Sequence, residues 1–454
     1  MYQDNPLQIL KNKIHLLQAI VSNIYYGFPS RKLKVLSVTG TDGKTTTTLM
    51  LYEVLKQSGL KVGYLSTIGA KIDNADLDTG LHVTTPDPWM VPKYLKMMKD
   101  KGMEYVVLEA TSNGLQQNRL WGIKLSGGII TNIKSDHLDY HKTWDNYAKA
   151  KFKMVEQMEW KSTIVLNQDD IEAYKWLMER INSRSLDRNI ESIGESIAQN
   201  IKYSLNGIDF EYLGEKFHLN LIGKFNLQNA LGVIALASKY ISLSEISSSL
   251  ANFKAPKGRM EVIQTEPFTI IIDFAHTPNS LEKALTSINE LRDKEQKLIV
   301  LFGCAGKRDK ERRKMGEIAC KNADLVLLTA EDPRDEKLKD INDEIMEYSK
   351  KANGELVKRI ANNQEFIALN MDEIKQGLLE VLTKGKKPVL AFDEDSVQSR
   401  RDALSFALSF AKNGDIVFLT GKAHEQSLAF GEDETEYPWN EHEEVERSLV
   451  ELND

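Results

Sequence analysis

Two periodicities of hydrophobic and polar positions divide this chain. Near the N-terminus, Leu7, Leu10, Ile14, Leu17, Val21, Ile24 and Phe28 recur alternately three and four residues apart. That spacing places seven apolar side chains on one face of a helix, which Pro29 is expected to end. From Val35 the pattern changes to short, β-branched apolar runs separated by helical stretches. VLSVTG, KVGYLST, YVVLEAT, GGIITNI and STIVLN read as buried strands, with helices expected at 45–57, near 88–101, at 224–239 and near 243–253. Residues 190–220 are choppier, and KYSLNGIDFEYLGEKFHLNL, residues 202–221, reads as short antiparallel strands. APKGR, at 255–259, reads as a linker, and five more runs follow it: TIIIDFAH, KLIVLFGCAG, ADLVLLTAED, KPVLAFDED and DIVFLTGKAH, each with a polar tip. Residues 426–454 are acidic and patternless until a short helix near 442–449. Strands alternating with helices predict an α/β fold, a doubly wound and mostly parallel sheet with a small antiparallel one, then a second α/β domain. The expected divisions are a helical segment at 1–34 and domains at 35–254 and 255–454.

Composition narrows the class. With 454 residues, 41% hydrophobic and 28% charged, the chain can build two or three cores. A net charge of -7 argues against nucleic acid as a partner, because such binding neutralises phosphates with Lys and Arg. Residues 1–34 run the other way, with Lys11, Lys13, Arg31, Lys32 and Lys34 against Asp4. A helix docked on its own domain and a peripheral membrane or partner contact through residues 6–28 both fit that segment. Cys304 and Cys320 make neither a disulfide framework nor a zinc site, so a reducing, cytoplasmic setting is expected. No apolar run approaches the roughly 20 residues of a membrane span, and a signal peptide's h-region and cleavage site are not seen.

The chemistry concentrates in VLSVTGTDGKTTTT, residues 35–48. A β-branched run empties into a turn that Gly40 and Gly43 make tight. Lys44 and Thr45 then open a helix whose free N–H groups point at an anion. Lys44 would meet the β/γ-phosphates of a nucleotide and the Thr45 hydroxyl a Mg2+ ion. Val38 stands where the first glycine of G-x-x-x-x-G-K-[ST] belongs, so the motif is incomplete. Farther on, Glu109 ends YVVLEA, His137 follows GGIITNI and Lys151 lies on the next helix. An acid, an imidazole and a lysine thus reach one sheet edge, where ligands of parallel sheets sit. Carboxylates are the usual Mg2+ ligands and histidine a less common one. Each residue alone also fits a structural role: Glu109 at a helix start, His137 in a turn, Lys151 in solvent.

Their order is distinctive. GTDGKTTT, HVTTPDP (82–88), EATSNGLQQNR (109–119), TNIKSDHLDYHKTWDNYAKAK (131–151), GKFNLQN (223–229), KGRME (257–261), DFAHTPNSLE (273–282), FGCAGKRDKERRKMG (302–316), TAEDPR (329–334) and GKAHE (421–425) follow one another along the chain. Together they resemble the motifs of the Mur ligases, nearest to the tripeptide-synthesising branch. The resemblance implies a P-loop-type central domain and a Rossmann-like C-terminal domain that binds the incoming amino acid. It implies a phosphate loop of Gly40, Thr41, Asp42, Gly43, Lys44, Thr45 and Thr46, with Thr45 and Glu109 on one Mg2+ and His137 on a second. Lys151 falls on the family's carbamylated lysine, whose N-carboxylate is an anionic metal ligand. Lys44, Lys151, Arg259 and His137 would carry catalysis. Asn226 and Asn229 match the adenine side, Arg259 a phosphate-binding arginine, and Asp273 and His276 a wall of the nucleotide pocket. Thr84, Thr85, Ser112 and Arg119 match acceptor contacts, and Arg308, Asp332, Arg334 and Glu425 match amino-acid contacts.

The implied reaction is ATP-dependent amide formation in peptidoglycan precursor synthesis. A muramoyl-peptide carboxylate would attack the γ-phosphorus to give an acyl phosphate, which the amine of free diaminopimelate or lysine then attacks. Two domains suit that chemistry, because closure excludes water. Glu331-Asp332-Pro333-Arg334 stands where Asp-Asn-Pro-Arg is usual. The added acid at Asp332 favours a cationic side chain such as lysine, Arg334 favours diaminopimelate, and diaminopimelate leads slightly. Three-domain Mur ligases place a domain-sized segment of roughly a hundred residues before the phosphate loop to bind uridine diphosphate; here 39 residues precede Gly40. UDP is therefore not expected to be held in the family's way, and a nucleotide-linked or lipid-linked acceptor stays open. Asn113 and Ser135 also depart from the family pattern. A Mur-like ligase on another acceptor, of the folylpolyglutamate or lipid-precursor-amidating kind, and a non-catalytic nucleotide-binding module remain as alternatives.

Overall fold

Apolar runs without alternation need cover on both faces, and the chain supplies it twice. The structure, a computed structural model, describes residues 6–73, 75–77, 85–134, 138–307 and 310–453. It separates into two units: Met1–Tyr203, Gly207–Asn220 and Lys224–Lys254 form the first, and Ser204–Asn206, Leu221–Gly223 and Ala255–Asp454 the second.

In the first unit, α1 (Pro6–Tyr25) precedes β1 (Lys34–Thr39) and α2 (Lys44–Gln57). Then come β2 (Val62–Ser66), β3 (Gly69–Ile72), β4 (Ala75–Leu77), α3 (Met90–Asp100), β5 (Tyr105–Glu109), α4 (Ser112–Gln116) and β6 (Leu125–Ile130). Next are α5 (Leu138–His141), α6 (Trp144–Glu156), β7 (Met158–Asn167), α7 (Ile171–Ser183) and β8 (Asn189–Ile193). Strands β9 (Gln199–Ser204), β10 (Gly207–Tyr212) and β11 (Glu215–Leu219) form a separate three-stranded sheet, and α8 (Lys224–Ala237) and α9 (Leu243–Ala251) complete the unit. The main sheet has the order β4-β3-β2-β5-β1-β6-β7-β8. Its registers pair Val38 with Glu109 and Thr39 with Ile130, so β1, β5 and β6 end level. The chain leaves β1 toward β2 and leaves β6 toward β7, on the opposite side. The crevice between those two loops is where a doubly wound sheet binds its ligand.

The second unit repeats the logic around a seven-stranded sheet. Its strands are β12 (Glu261–Gln264), β13 (Thr269–Asp273), β14 (Leu298–Phe302), β15 (Leu325–Leu328), β16 (Gly354–Ile360), β17 (Lys387–Phe392) and β18 (Ile416–Thr420), in the order β12-β13-β18-β14-β15-β17-β16. Successive side chains face opposite layers: Ile271, Val300 and Phe418 join one buried cluster, and Ile270, Leu301 and Leu419 another. The α/β class expected from the alternation is thus what the chain forms.

Several details differ from the expectation. Helix α1 stops at Tyr25, short of Pro29. Gly27, at φ 70, follows the helix, and the Phe28 amide closes back onto the Asn23 carbonyl at 2.8 Å, the glycine stop that needs no proline. Pro29 opens a short 3-10 turn instead. The apolar stripe of α1 does not face the domain; Ala19, Ser22 and Asn23 do. Residues 189–193, for which no strand was expected, extend the parallel sheet beside β7. At the C-terminus a hairpin of β19 (Ser427–Phe430) and β20 (Thr435–Pro438) precedes a terminal helix longer than expected, Glu441–Asn453.

Candidate active site

The loop after β1 is shaped by what presses on its glycines. A Cβ on Gly40 would lie 1.8 Å from Thr131 Oγ1, and one on Gly43, at φ 80, would lie 2.4 Å from Asn229 Oδ1. Residues after β6 stitch the loop down: the Thr41 amide donates to the Asn132 carbonyl at 3.0 Å, the Asp42 amide to Asn132 Oδ1 at 2.9 Å, and Thr131 Oγ1 to the Asp42 carbonyl at 2.6 Å. Gly43 is the N-cap of α2 and offers no side-chain cap. The first-turn amides from Gly43 to Thr46 therefore have no carbonyl above them, which is the arrangement that accepts a phosphate. Lys44 curls over the loop, its Nζ 2.7 Å from the Thr41 carbonyl.

Below the loop, the buried Glu109 carboxylate accepts from Thr45 Oγ1 (3.1 Å), Thr67 Oγ1 (3.0 Å), Ser66 Oγ (2.7 Å) and the Thr67 amide (3.2 Å). A hydroxyl and a carboxylate in contact beside a phosphate cradle fit magnesium, which takes one or two protein oxygens and completes its shell with phosphate and water. Among the described residues no group of three or more His, Cys, Asp or Glu could hold a metal. Lys151 is buried, with Nζ 2.5 Å from the Gly40 carbonyl and 4.5 Å from the Tyr147 ring centroid. The fold thus brings Lys151 to the loop across 111 positions of sequence. Tyr147 adds a hydroxyl 3.2 Å from Thr41 Oγ1. His137 lies outside the described residues. Asn226 and Asn229 sit on buried turns of α8, 3.0 Å apart through Nδ2 and Oδ1, with Asn229 against Gly43.

Thr85, Ser112 and Arg119 converge at the same end of the sheet; Thr84 lies outside the described residues. Thr85 Oγ1 accepts from the Thr111 amide at 2.9 Å, and Arg119 Nη1 donates to the Thr85 carbonyl at 2.7 Å. Burial lowers the Arg119 pKa, with Asp87 pulling it back. Sequence reasoning missed His141, whose Nε2 is 3.0 Å from Ser112 Oγ, and Gln117, whose Oε1 receives Arg119 Nη2 at 2.7 Å. Both lie inside the quoted motifs, which was the available signal. Helix α1 reaches this region: Gln8 Nε2 donates to Tyr140 Oη at 3.0 Å, and Tyr140 Oη accepts from Gln117 Nε2 at 3.1 Å.

In the second unit, Asp273 ends β13 and accepts from the amides of Met260 (2.7 Å) and Ala275 (2.8 Å). Burial raises its pKa and the Arg259 guanidinium opposes that rise. Arg259 stacks on Phe274 at 5.0 Å, and Phe274 contacts the rings of His276 and His424 at 4.5 and 4.7 Å. Beyond β15 and β18 lies a charge cluster that composition alone did not resolve. Buried Lys422 reaches Asp332 Oδ1 at 2.8 Å and Glu425 Oε2 at 2.6 Å. The extra carboxylate at Asp332 thus shares one ammonium with Glu425. Glu331 beside it is buried, which pushes its pKa up to about 8 although Arg312 and Lys422 draw it down. Arg334, at φ 58, lines a cavity of about 350 Å3 with Asp335, Asp395, Glu432 and Tyr437. Arg308 lies outside the described residues.

Comparison with known proteins agrees with this geometry. Residues 38–237 match the family described as Mur ligase middle domain, and residues 258–387 match the Mur ligase glutamate ligase domain. The UDP-N-acetylmuramoyl-L-alanyl-D-glutamate--2,6-diaminopimelate ligase of Clostridium perfringens is 33% identical over 419 residues, covering 90% of this chain and 77% of that one. A solved structure of a ligase of the same name superposes with a TM-score of 0.64 at 24% identity, over 93% of this chain and 79% of the other. The Thermotoga maritima MurF ligase in complex with ADP gives a TM-score of 0.58 at 16% identity, over 99% and 85%. The chain belongs to the Mur ligase family, ATP-dependent enzymes that join a carboxylate to an amine with release of ADP.

Proposed function

We propose that the chain adds diaminopimelate to the terminal carboxylate of a muramoyl-peptide, a step of peptidoglycan precursor synthesis. The observation that carries this reading is the uncapped loop at Gly43, set directly over the Thr45–Glu109 pair, in a chain a third identical to ligases named for that substrate. A carboxylate is a poor electrophile, so its oxygen attacks the γ-phosphorus of ATP to form an acyl phosphate and ADP. The amine then attacks the acyl carbon, phosphate leaves and an amide remains. Lys44 and the α2 amides neutralise the transferring phosphoryl group. Magnesium, held by the Thr45 hydroxyl and the Glu109 carboxylate, would supply further charge neutralisation on the phosphates.

Lys151 is assigned the carbamate of the family and, with His137, a second ion. A carbamate nitrogen keeps one N–H, so the contact with the Gly40 carbonyl survives the modification. Arg259, Asp273, His276, Asn226 and Asn229 keep the nucleotide roles that the resemblance gives them. Thr84, Thr85, Ser112 and Arg119 keep the acceptor.

Diaminopimelate is preferred over lysine on charge. Its far end carries both an ammonium and a carboxylate, and the cavity at Arg334 offers a guanidinium and the Lys337 ammonium among several acids. Arg334, which also lies 3.7 Å from Glu434, is the group assigned to the carboxylate that lysine lacks. Arg334→Ala should raise the KM for diaminopimelate about tenfold to a hundredfold, the cost of one charged contact, while leaving ATP affinity unchanged. Equal use of lysine and diaminopimelate by the unaltered chain would remove this part of the reading.

A further inference from the structure

The N-terminal helix turns its apolar face to solvent. Leu10, Ile14, Leu17, Val21 and Ile24 are between 46% and 63% exposed, and Tyr25 is 72% exposed. The opposite face is fastened: Asn23 Nδ2 donates to the Trp121 carbonyl at 2.8 Å and Ser22 Oγ to the Trp89 carbonyl at 3.1 Å. The stripe therefore cannot roll inward without breaking buried hydrogen bonds. A contiguous exposed apolar stripe of this kind marks an interaction surface.

Its surroundings indicate what covers it. Helix α1 contains no Asp or Glu, and exposed Lys11 and Lys13 flank the stripe. Arg31 and Lys32, also exposed, extend the basic character past the helix end, on a chain of net charge -7. Aromatic side chains gather at that end. The Tyr25 ring lies 4.9 Å from Tyr26 and 5.7 Å from Trp89, and Trp89 and Trp121 are each 37% exposed. Apolar stripe, lysine flanks and a Tyr/Trp rim are the chemistry of a helix lying in a membrane interface. A second copy suits the face less well. The four-three spacing is that of a coiled-coil seam, but paired copies would set lysines along it with no acid to answer them.

We propose that α1 docks this protein on an anionic phospholipid surface, its apolar side chains entering the acyl boundary and its lysines meeting headgroup phosphates. Docking stands apart from the ligase assignment. Where that assignment holds, Gln8 of the same helix touches Tyr140, which is itself bonded to Gln117, so the acceptor side of the first unit would lie at the lipid boundary, suited to a lipid-linked acceptor.

The test is flotation of the full chain with vesicles of phosphatidylcholine alone or mixed with phosphatidylglycerol. Partition into the anionic vesicles is expected, weakening at roughly 0.5 M salt, where screening is short-ranged. Leu17→Glu should reduce it about tenfold or more, since it removes one buried leucine and inserts a charge. Leu17 is exposed, so the melting temperature should not move. Lys11→Gln with Lys13→Gln should diminish the preference for the anionic lipid. Absence of partition at any composition, or equal partition of the Leu17→Glu variant, overturns the proposal. So does a concentration-dependent dimer that Leu17→Glu dissolves, which would assign the face to a second copy. ATP turnover measured on the same preparation separates the two readings: flotation without turnover removes the ligase assignment alone, and turnover without flotation removes the docking alone.

Discussion

Gly43 combines a left-handed backbone with a close neighbour, and both disfavour any side chain there. Gly43→Ala is expected to cost about 1–2 kcal/mol from the backbone alone. The new methyl would also stand 2.4 Å from Asn229 Oδ1 and push that side chain away. Calorimetric titration should show ADP binding weakened at least tenfold; unchanged affinity would mean that the loop does not cradle the nucleotide. Glu331 gives a second residue-level outcome. Its carboxyl is pushed up to about 8 by burial, so the folded state holds a proton that the unfolded chain releases near its ordinary value of about 4.3. Stability from this group is full below that ordinary value and is lost as pH rises toward 8. Glu331→Gln should flatten the fall of melting temperature between about pH 5 and pH 8; an unchanged pH profile would contradict the buried, uncharged assignment. Sequence made the glycines, Lys44 and Glu109 legible because each lies in a short motif whose spacing has a mechanical reason. It could not reveal that Lys422 pairs with Asp332, since those residues are 90 positions apart and only the packing of β15 beside other strands brings them together.

Among elements, central strands were easier to read than edges. Strands such as β14 and β18 are buried along their whole length, so an unbroken apolar run identifies them. GELVKRI, which forms β16 at the sheet edge, is mostly half-exposed and carries charges, so its pattern resembles a helix end as much as a strand. The α1 stripe was legible as a helix face, but periodicity does not say whether a face turns in or out. Its true anchor is polar. Asn23→Ala should destabilise the docking of α1 by about 1–3 kcal/mol, the cost of an unmade buried hydrogen bond. Hydrogen exchange of the amides in 10–25 should accelerate, while those of β1 and β5 keep their protection. Unaltered exchange in α1 would show that Asn23 does not hold the helix.

At the scale of the whole molecule, the linker at 255–259 and two rounds of strand and helix made the two-unit plan readable, because each α/β layer must repeat its own pattern to cover a sheet. The proposed ligase chemistry can be tested residue by residue. Lys151→Ala tests one part of it: turnover should fall by about a hundredfold or more if the lysine supplies a metal-holding carboxylate, with partial rescue by added short carboxylates. A fully active variant would release Lys151 from the site. The central claim is tested most directly by measuring ADP formation with ATP, Mg2+, a muramoyl-L-alanyl-D-glutamate acceptor with and without UDP, and diaminopimelate. ADP should appear only when an acceptor and the amino acid are both present, in step with an amide product seen by mass spectrometry. ADP release that ignores both, or none under any combination, would contradict the assignment.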